Sequence, residues 1–173
     1  SKTIDIAAGA VGYEVRDSFT LPTDVSVLSV YPHAHYLAKE MTVVAQRPNG
    51  QSETMLRIPN WNFNWQDEYT YATAVQLPRG TTIEMRYLYD NSASNPHNPS
   101  SPPQRVRFGP QTRDEMGELL VQVMPKRADG FEALRAQCPP VRCGDCVIPH
   151  AAEPDSEPGQ RARPTWDGAS AKG

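Results

Sequence analysis

The stretch of this chain best suited to chemistry reads Tyr31-Pro32-His33-Ala34-His35-Tyr36 and holds two of the four histidines. On an extended backbone alternate side chains share a face. A strand that continues through residue 35 therefore brings both imidazoles to one side, with Cβ atoms roughly 7 Å apart, close enough for the rings to meet on one ion. The spacing admits a second reading, a pair of surface histidines at a strand end, because a His-x-His pair is a short motif. A metal site needs a third ligand, and Met116 offers one. It lies on the opposite parity from Leu119, Val121 and Val123, so strict alternation turns it away from the main apolar side of its strand, together with Leu120 and Met124. Two imidazoles and a thioether make a soft, open ligand set. Thioether sulfur favours Cu(I) and imidazole holds both Cu(I) and Cu(II), whereas zinc prefers a third His, a Cys or a carboxylate. If Met116 reaches His33 and His35, copper is the better fit.

The other metal-ligating side chains form no comparable set. His97 sits in a Pro-rich loop, either as a surface residue or close to the histidine pair. His150 is an incidental tail residue. Cys138-Pro-Pro-Val-Arg-Cys143-Gly-Asp-Cys146 contains a Cys-x-x-Cys, but a zinc knuckle needs a fourth ligand at matching spacing. There is no Gly-rich phosphate loop, no Gly-x-Ser-x-Gly elbow and no His-Glu-x-x-His.

Positioning these residues falls to β-strands. Val25, Val27, Ser29 and Tyr31 share one parity and Ser26, Leu28 and Val30 the other, so the histidine strand is apolar on both faces and internal to a sheet. Further strands are expected at Thr3–Ile6, Val11–Phe19, Met41–Arg47, Glu53–Ile58, Tyr69–Val75, Thr81–Tyr89 and Gly117–Met124, with a short run at Gln104–Phe108 before Gly109-Pro110. Pro48-Asn49-Gly50 between two of them signals a hairpin. Trp61-Asn62-Phe63-Asn64-Trp65 alternates rings with amides, as a strand packing three rings on one face does. Asp90 to Pro103 reads as a long polar loop without capacity for a core. Eight or nine strands with short turns argue for an all-β fold, an antiparallel β-sandwich. The expected division is a sandwich domain over residues 1–125 and a Pro-rich, largely disordered tail over 126–173, with a short helix near Phe131 to Gln137.

At 173 residues and a net charge of −3, the composition gives no electrostatic footprint for nucleic acid. No run approaches the roughly 18 apolar residues that span a bilayer. The chain starts Ser-Lys-Thr-Ile without an initiator Met or a signal peptide, which reads as a processed protein or a piece of a longer one.

Three blocks taken together resemble a known family: Pro32-His33-Ala34-His35 with Lys39 behind it, Asp90-Asn91-Ser92 opening the Pro/Asn loop, and Gln111-Thr112-Arg113-Asp114-Glu115-Met116. Over about residues 3–125 the chain is similar to the C-terminal domain of the copper type II, ascorbate-dependent monooxygenases, the family of peptidylglycine α-hydroxylating and dopamine β-monooxygenase. The wording of the loop resembles bacterial members. The resemblance implies a jelly-roll-like sandwich, one copper ion on His33, His35 and Met116, and dioxygen activation for hydroxylating a C–H bond of a small organic substrate. It also implies ascorbate or another electron donor and an extracytoplasmic location, periplasmic or secreted.

Departures from the family pattern bear on substrate and electron supply. The carboxylate-gripping Arg of the peptide-hydroxylating member is Tyr31 here, its Asn and Tyr after the methionine are Glu118 and Leu120, and a family Cys is Gly117. A peptidylglycine substrate is therefore not expected. The family's second copper, held by three histidines on a preceding domain, cannot be built from His97 and His150. Electrons must come from an upstream domain or a separate reductant, or the domain is a copper-binding or copper-sensing module without turnover.

Overall fold

A computed structural model describes residues 3–137. The tail motif with Cys138, Cys143, Cys146 and His150 lies outside the described residues. Nine strands and one helix follow in order: β1 (Asp5–Ile6), β2 (Val11–Thr20), β3 (Val25–Ala34), β4 (Ala38–Gln46), β5 (Ser52–Ile58), β6 (Tyr69–Leu77), β7 (Thr82–Asp90), β8 (Val106–Arg107), β9 (Gly117–Pro125) and α1 (Gly130–Gln137). Every strand pairing is antiparallel. One sheet runs β2-β7-β4-β5, a second runs β6-β3-β9, and β1 pairs with β8. The fold is the expected all-β sandwich, and β3 is the expected internal strand.

The sheets meet along two apolar clusters. Val25, Val27 and Val30 of β3 pack with Val43, Met55, Leu77 and Ile83 from both sheets. Ala34, Leu37, Met41, Trp61, Tyr87 and Tyr89 form the other cluster, at the end of the sandwich where β3 turns into β4. The hairpin at Asn49-Gly50 forms as its sequence requires, with Gly50 at a φ of 83° and the Arg47 N–H donating to Gln51 O at 2.7 Å. Leu134 of α1 packs on the first of these clusters, and the Lys126 N–H donates to Asp24 O at 3.0 Å, so chain beyond residue 125 belongs to the packed unit.

One irregularity decides what β3 presents. Val27 pairs with Val123 but Ser29 pairs with Gln122, so Leu28 is an extra residue with no partner step on β9. Such a β-bulge shifts every later side chain to the other face. Val25 and Val27 point into the core before it; Val30, Pro32 and Ala34 are buried after it. Ser29, Tyr31 and His33 thereby share the outer face of the β6-β3-β9 sheet with their partners Gln122, Leu120 and Glu118. Without the bulge, His33 would share the core-facing parity of Val25 and Val27.

One expectation needs correction. Residues 61–65 form no strand; they make a turn, with Trp61 6% exposed and Trp65 73% exposed. The loop after Asp90 has no apolar core, but it is anchored by amides that are themselves buried, Asn91 at 0% and Asn95 at 4% exposure. The Asn91 side-chain NH₂ donates to the carbonyls of Ala7 at 3.0 Å and Gln104 at 2.7 Å, while its Oδ1 accepts from Asn98. This amide ties the loop to the β1 segment. Asn91→Asp would aim a carboxylate at those carbonyls, so urea denaturation is expected to show a loss of roughly 3 kcal/mol or more, against about 2 kcal/mol for Asn91→Ala. Losses below about 0.5 kcal/mol for both, the range of ordinary surface changes, would remove the amide as the anchor.

Candidate metal centre

His33 lies in the penultimate pair of the β3–β9 ladder, opposite Glu118 of β9, and His35 follows one residue past the end of the strand at Ala34. The two rings come together: their centroids are 5.2 Å apart and their planes are inclined at 82°. Two imidazoles bound to one ion at about 2.0 Å, with an angle near tetrahedral at the metal, place their centroids roughly 5 Å apart. The observed separation fits that requirement.

The hydrogen bonds select which ring nitrogens are free. Gln66 Nε2 donates to the Phe63 carbonyl at 3.1 Å, which turns Gln66 Oε1 toward His33 Nδ1 at 2.7 Å. An amide oxygen only accepts, so Nδ1 of His33 carries the proton. His35 Nδ1 lies 3.1 Å from the Asp114 carbonyl and must also donate. The tautomer with Nδ1–H leaves Nε2 of each ring as the position open to a metal, and each ring has the outer partner that commonly fixes such a ligand. Burial pushes the His35 pKa below the usual histidine range, aided by the nearby His33 and opposed by the carbonyls of Asp114 and Gln111. His35 is therefore neutral at neutral pH.

Glu115 ties the backbone of Met116 to that of His35. The Glu115 side chain is fully buried. Its Oε1 accepts the backbone N–H of His35 and the backbone N–H of Met116 at 2.9 Å. Its Oε2 accepts the N–H of Leu37 at 2.9 Å. The β3–β9 ladder runs through His33–Glu118 and Ala34–Gly117, so Met116 stands one step beyond, level with His35 and on the parity of Glu118. The methionine is half-buried. Its carbonyl accepts the Tyr89 hydroxyl at 2.8 Å. That bond requires Gly117, where an added Cβ would lie 2.5 Å from the Tyr89 oxygen. Burial pushes the Glu115 carboxyl up to about 7, against the pull of its three N–H donors.

A turn over residues 61–66 braces the histidines from the other side. Trp61 Nε1 donates to the His35 carbonyl at 2.9 Å. Phe63 meets the His35 ring edge-on at 5.6 Å and packs against Tyr36 at 4.4 Å. Gln66, Phe63, Trp61 and Glu115 were not picked out as site residues by the sequence reasoning. The signal for the turn was Asn62, whose Oδ1 accepts the Asn64 N–H at 3.0 Å, an Asx turn that the alternation of aromatic residues obscured. His97 is not brought to the pair: it is exposed, and its N–H is held by Asn95 Oδ1 at 3.1 Å. Among the described residues no group of three or more His, Cys, Asp or Glu could hold a metal. No helix among the described residues is long and apolar enough to cross a membrane.

No protein-family model matches the chain, and no curated protein matches it. The site is thus read from its own geometry.

Glu115→Ala would orphan three buried N–H groups at once. Denaturant unfolding is expected to show a loss of about 3 to 5 kcal/mol. Glu115→Gln, which sets an NH₂ against one of those donors, is expected to lose roughly 2 kcal/mol. A Gln variant as stable as the parent would show that the carboxylate does not organise the site.

Proposed function

We propose that this chain carries the mononuclear copper domain of a monooxygenase, with His33, His35 and Met116 as the ligands of one copper ion. The observation that carries this reading is the pair of imidazoles 5.2 Å apart, each with Nδ1 occupied and Nε2 available. A thioether from Met116 completes a set that suits Cu(I) and leaves room for an exogenous ligand. Copper bound there would supply dioxygen activation for hydroxylation of a C–H bond in a small organic substrate. The chain's own residues contribute orientation and proton placement. Gln66 and the Asp114 carbonyl hold both Nδ1 protons, Glu115 holds the backbones of His35 and Met116 side by side, and Phe63 and Tyr36 wall one side of the pair. Electrons would come from ascorbate or another reductant, or from an upstream domain, in an extracytoplasmic setting, periplasmic or secreted.

A second reading, a copper-holding or copper-sensing module without turnover, draws on one observation. The chain has four histidines, and beyond His33 and His35 too few remain to build a three-histidine electron-donating site.

Titration with Cu(I) is expected to saturate at about one equivalent and to fail in the His33→Ala/His35→Ala double variant. Retained binding in that variant would sink the ligand assignment. Gln66→Ala is expected to weaken affinity about 10- to 100-fold by freeing the His33 ring. Met116→Ile is expected to remove the sulfur contribution from the X-ray absorption spectrum of the Cu(I) protein. Oxygen consumption by the copper-loaded protein with ascorbate separates the two readings: sustained uptake supports the monooxygenase, and stoichiometric binding without uptake supports the module.

A further inference from the structure

An open pocket of about 360 Å³ is lined by Ser100, Gln104, Arg105, Arg107, Arg113 and Asp114 among others. Its charge is unbalanced. Arg105 is engaged, donating through two nitrogens to Asp5 at 2.6 and 2.7 Å. Arg107 comes no closer to that carboxylate than 3.8 Å and makes no side-chain hydrogen bond with a described residue. Arg113 has neither an ion pair nor a side-chain hydrogen bond among the described residues. The one acidic lining residue, Asp114, is turned into its own loop: its Oδ2 accepts the Gln111 N–H at 3.2 Å and occupies the space beside Gly109, 2.3 Å from where a Cβ would sit. The cavity thus presents two guanidinium groups with unused donors and the polar side chains of Ser100 and Gln104.

We infer that this cavity is a binding site for a small oxyanion, a phosphate or carboxylate group gripped by Arg107 and Arg113. Guanidinium forks match the paired oxygens of both groups. The cavity volume falls within the range that accommodates small organic ligands, so the anion can carry an organic body. Asp114 connects this cavity to the histidines, because its carbonyl accepts from His35 Nδ1. The assignment does not depend on a metal at His33 and His35, and its test uses metal-free protein.

Isothermal titration with inorganic phosphate and with succinate, at ionic strength fixed by sodium chloride, is the experiment. The expected result is saturable binding of at least one of the two. Affinity should fall at least about tenfold in the Arg107→Gln/Arg113→Gln variant, the loss of one charge-assisted hydrogen bond or more. Both side chains are exposed, so the variant is expected to keep the parent's circular dichroism and unliganded unfolding midpoint. Binding of phosphate alone identifies a phosphoryl ligand, and binding of succinate alone a carboxylate. Absence of saturable binding by either anion, or equal affinity in parent and variant, overturns the site.

Discussion

A single buried carboxylate holds the proposed centre together. Glu115 accepts N–H groups from His35, Leu37 and Met116, and so joins the β3–β4 connection to the start of β9. Those segments are about eighty residues apart in sequence. Burying a carboxylate carries a large desolvation cost unless its oxygens are met by donors. Here three backbone donors meet them, and no buried side-chain nitrogen or oxygen among the described residues lacks a partner. The backbone of Glu115 is fixed as well, its N–H donating to Arg107 O at 3.0 Å and its carbonyl accepting from Gly109 at 3.2 Å. The carboxylate therefore transmits the position of the 107–115 loop to both His35 and Met116.

The outer face of the β6-β3-β9 sheet supplies the surroundings. Tyr31 pairs with Leu120 and His33 with Glu118, so this part of the face carries a phenol, an apolar side chain and an acid. An acid directly across from His33 repels an anionic substrate group rather than attracting one. Gly117, where the resembling family has a cysteine, is equally specific in this chain. The absent side chain is the space through which the Tyr89 hydroxyl reaches the Met116 carbonyl. In this chain that space is taken by a hydrogen bond from a fully buried ring.

Much of this was legible in the sequence because it depends on local signals. Alternation located the long strands, Asn49-Gly50 located the hairpin, and His33, His35 and Met116 were singled out by type and spacing. What escaped depends on pairing. Leu28 is an ordinary strand residue, and only its missing partner on β9 reveals it as a bulge. Parity counted from Val25 therefore assigns His33 to the wrong side of the sheet, although the His33–His35 relation survives because both lie beyond the bulge. The turn at 61–66 escaped for a related reason. Aromatic residues at alternate positions resemble a strand, yet Asn62 closes an Asx turn, and the partners of Trp61 and Gln66 are some thirty residues away. Asn91 was read as loop composition, since nothing local distinguishes a buried, fully bonded amide from a solvated one.

These long-range contacts also bear on how a metal would be bound. In many small metal domains the ligands converge only when the ion is present, so binding free energy is consumed in folding. In this chain the contacts that orient His33 and His35 are made by protein alone: Gln66 and Asp114 on the ring protons, Trp61 on the His35 carbonyl, Phe63 on the His35 ring, Glu115 on the backbone. Neither ring needs to change tautomer to present Nε2. Little ordering cost then remains for the binding step, and the sandwich should be as well folded without the ion as with it.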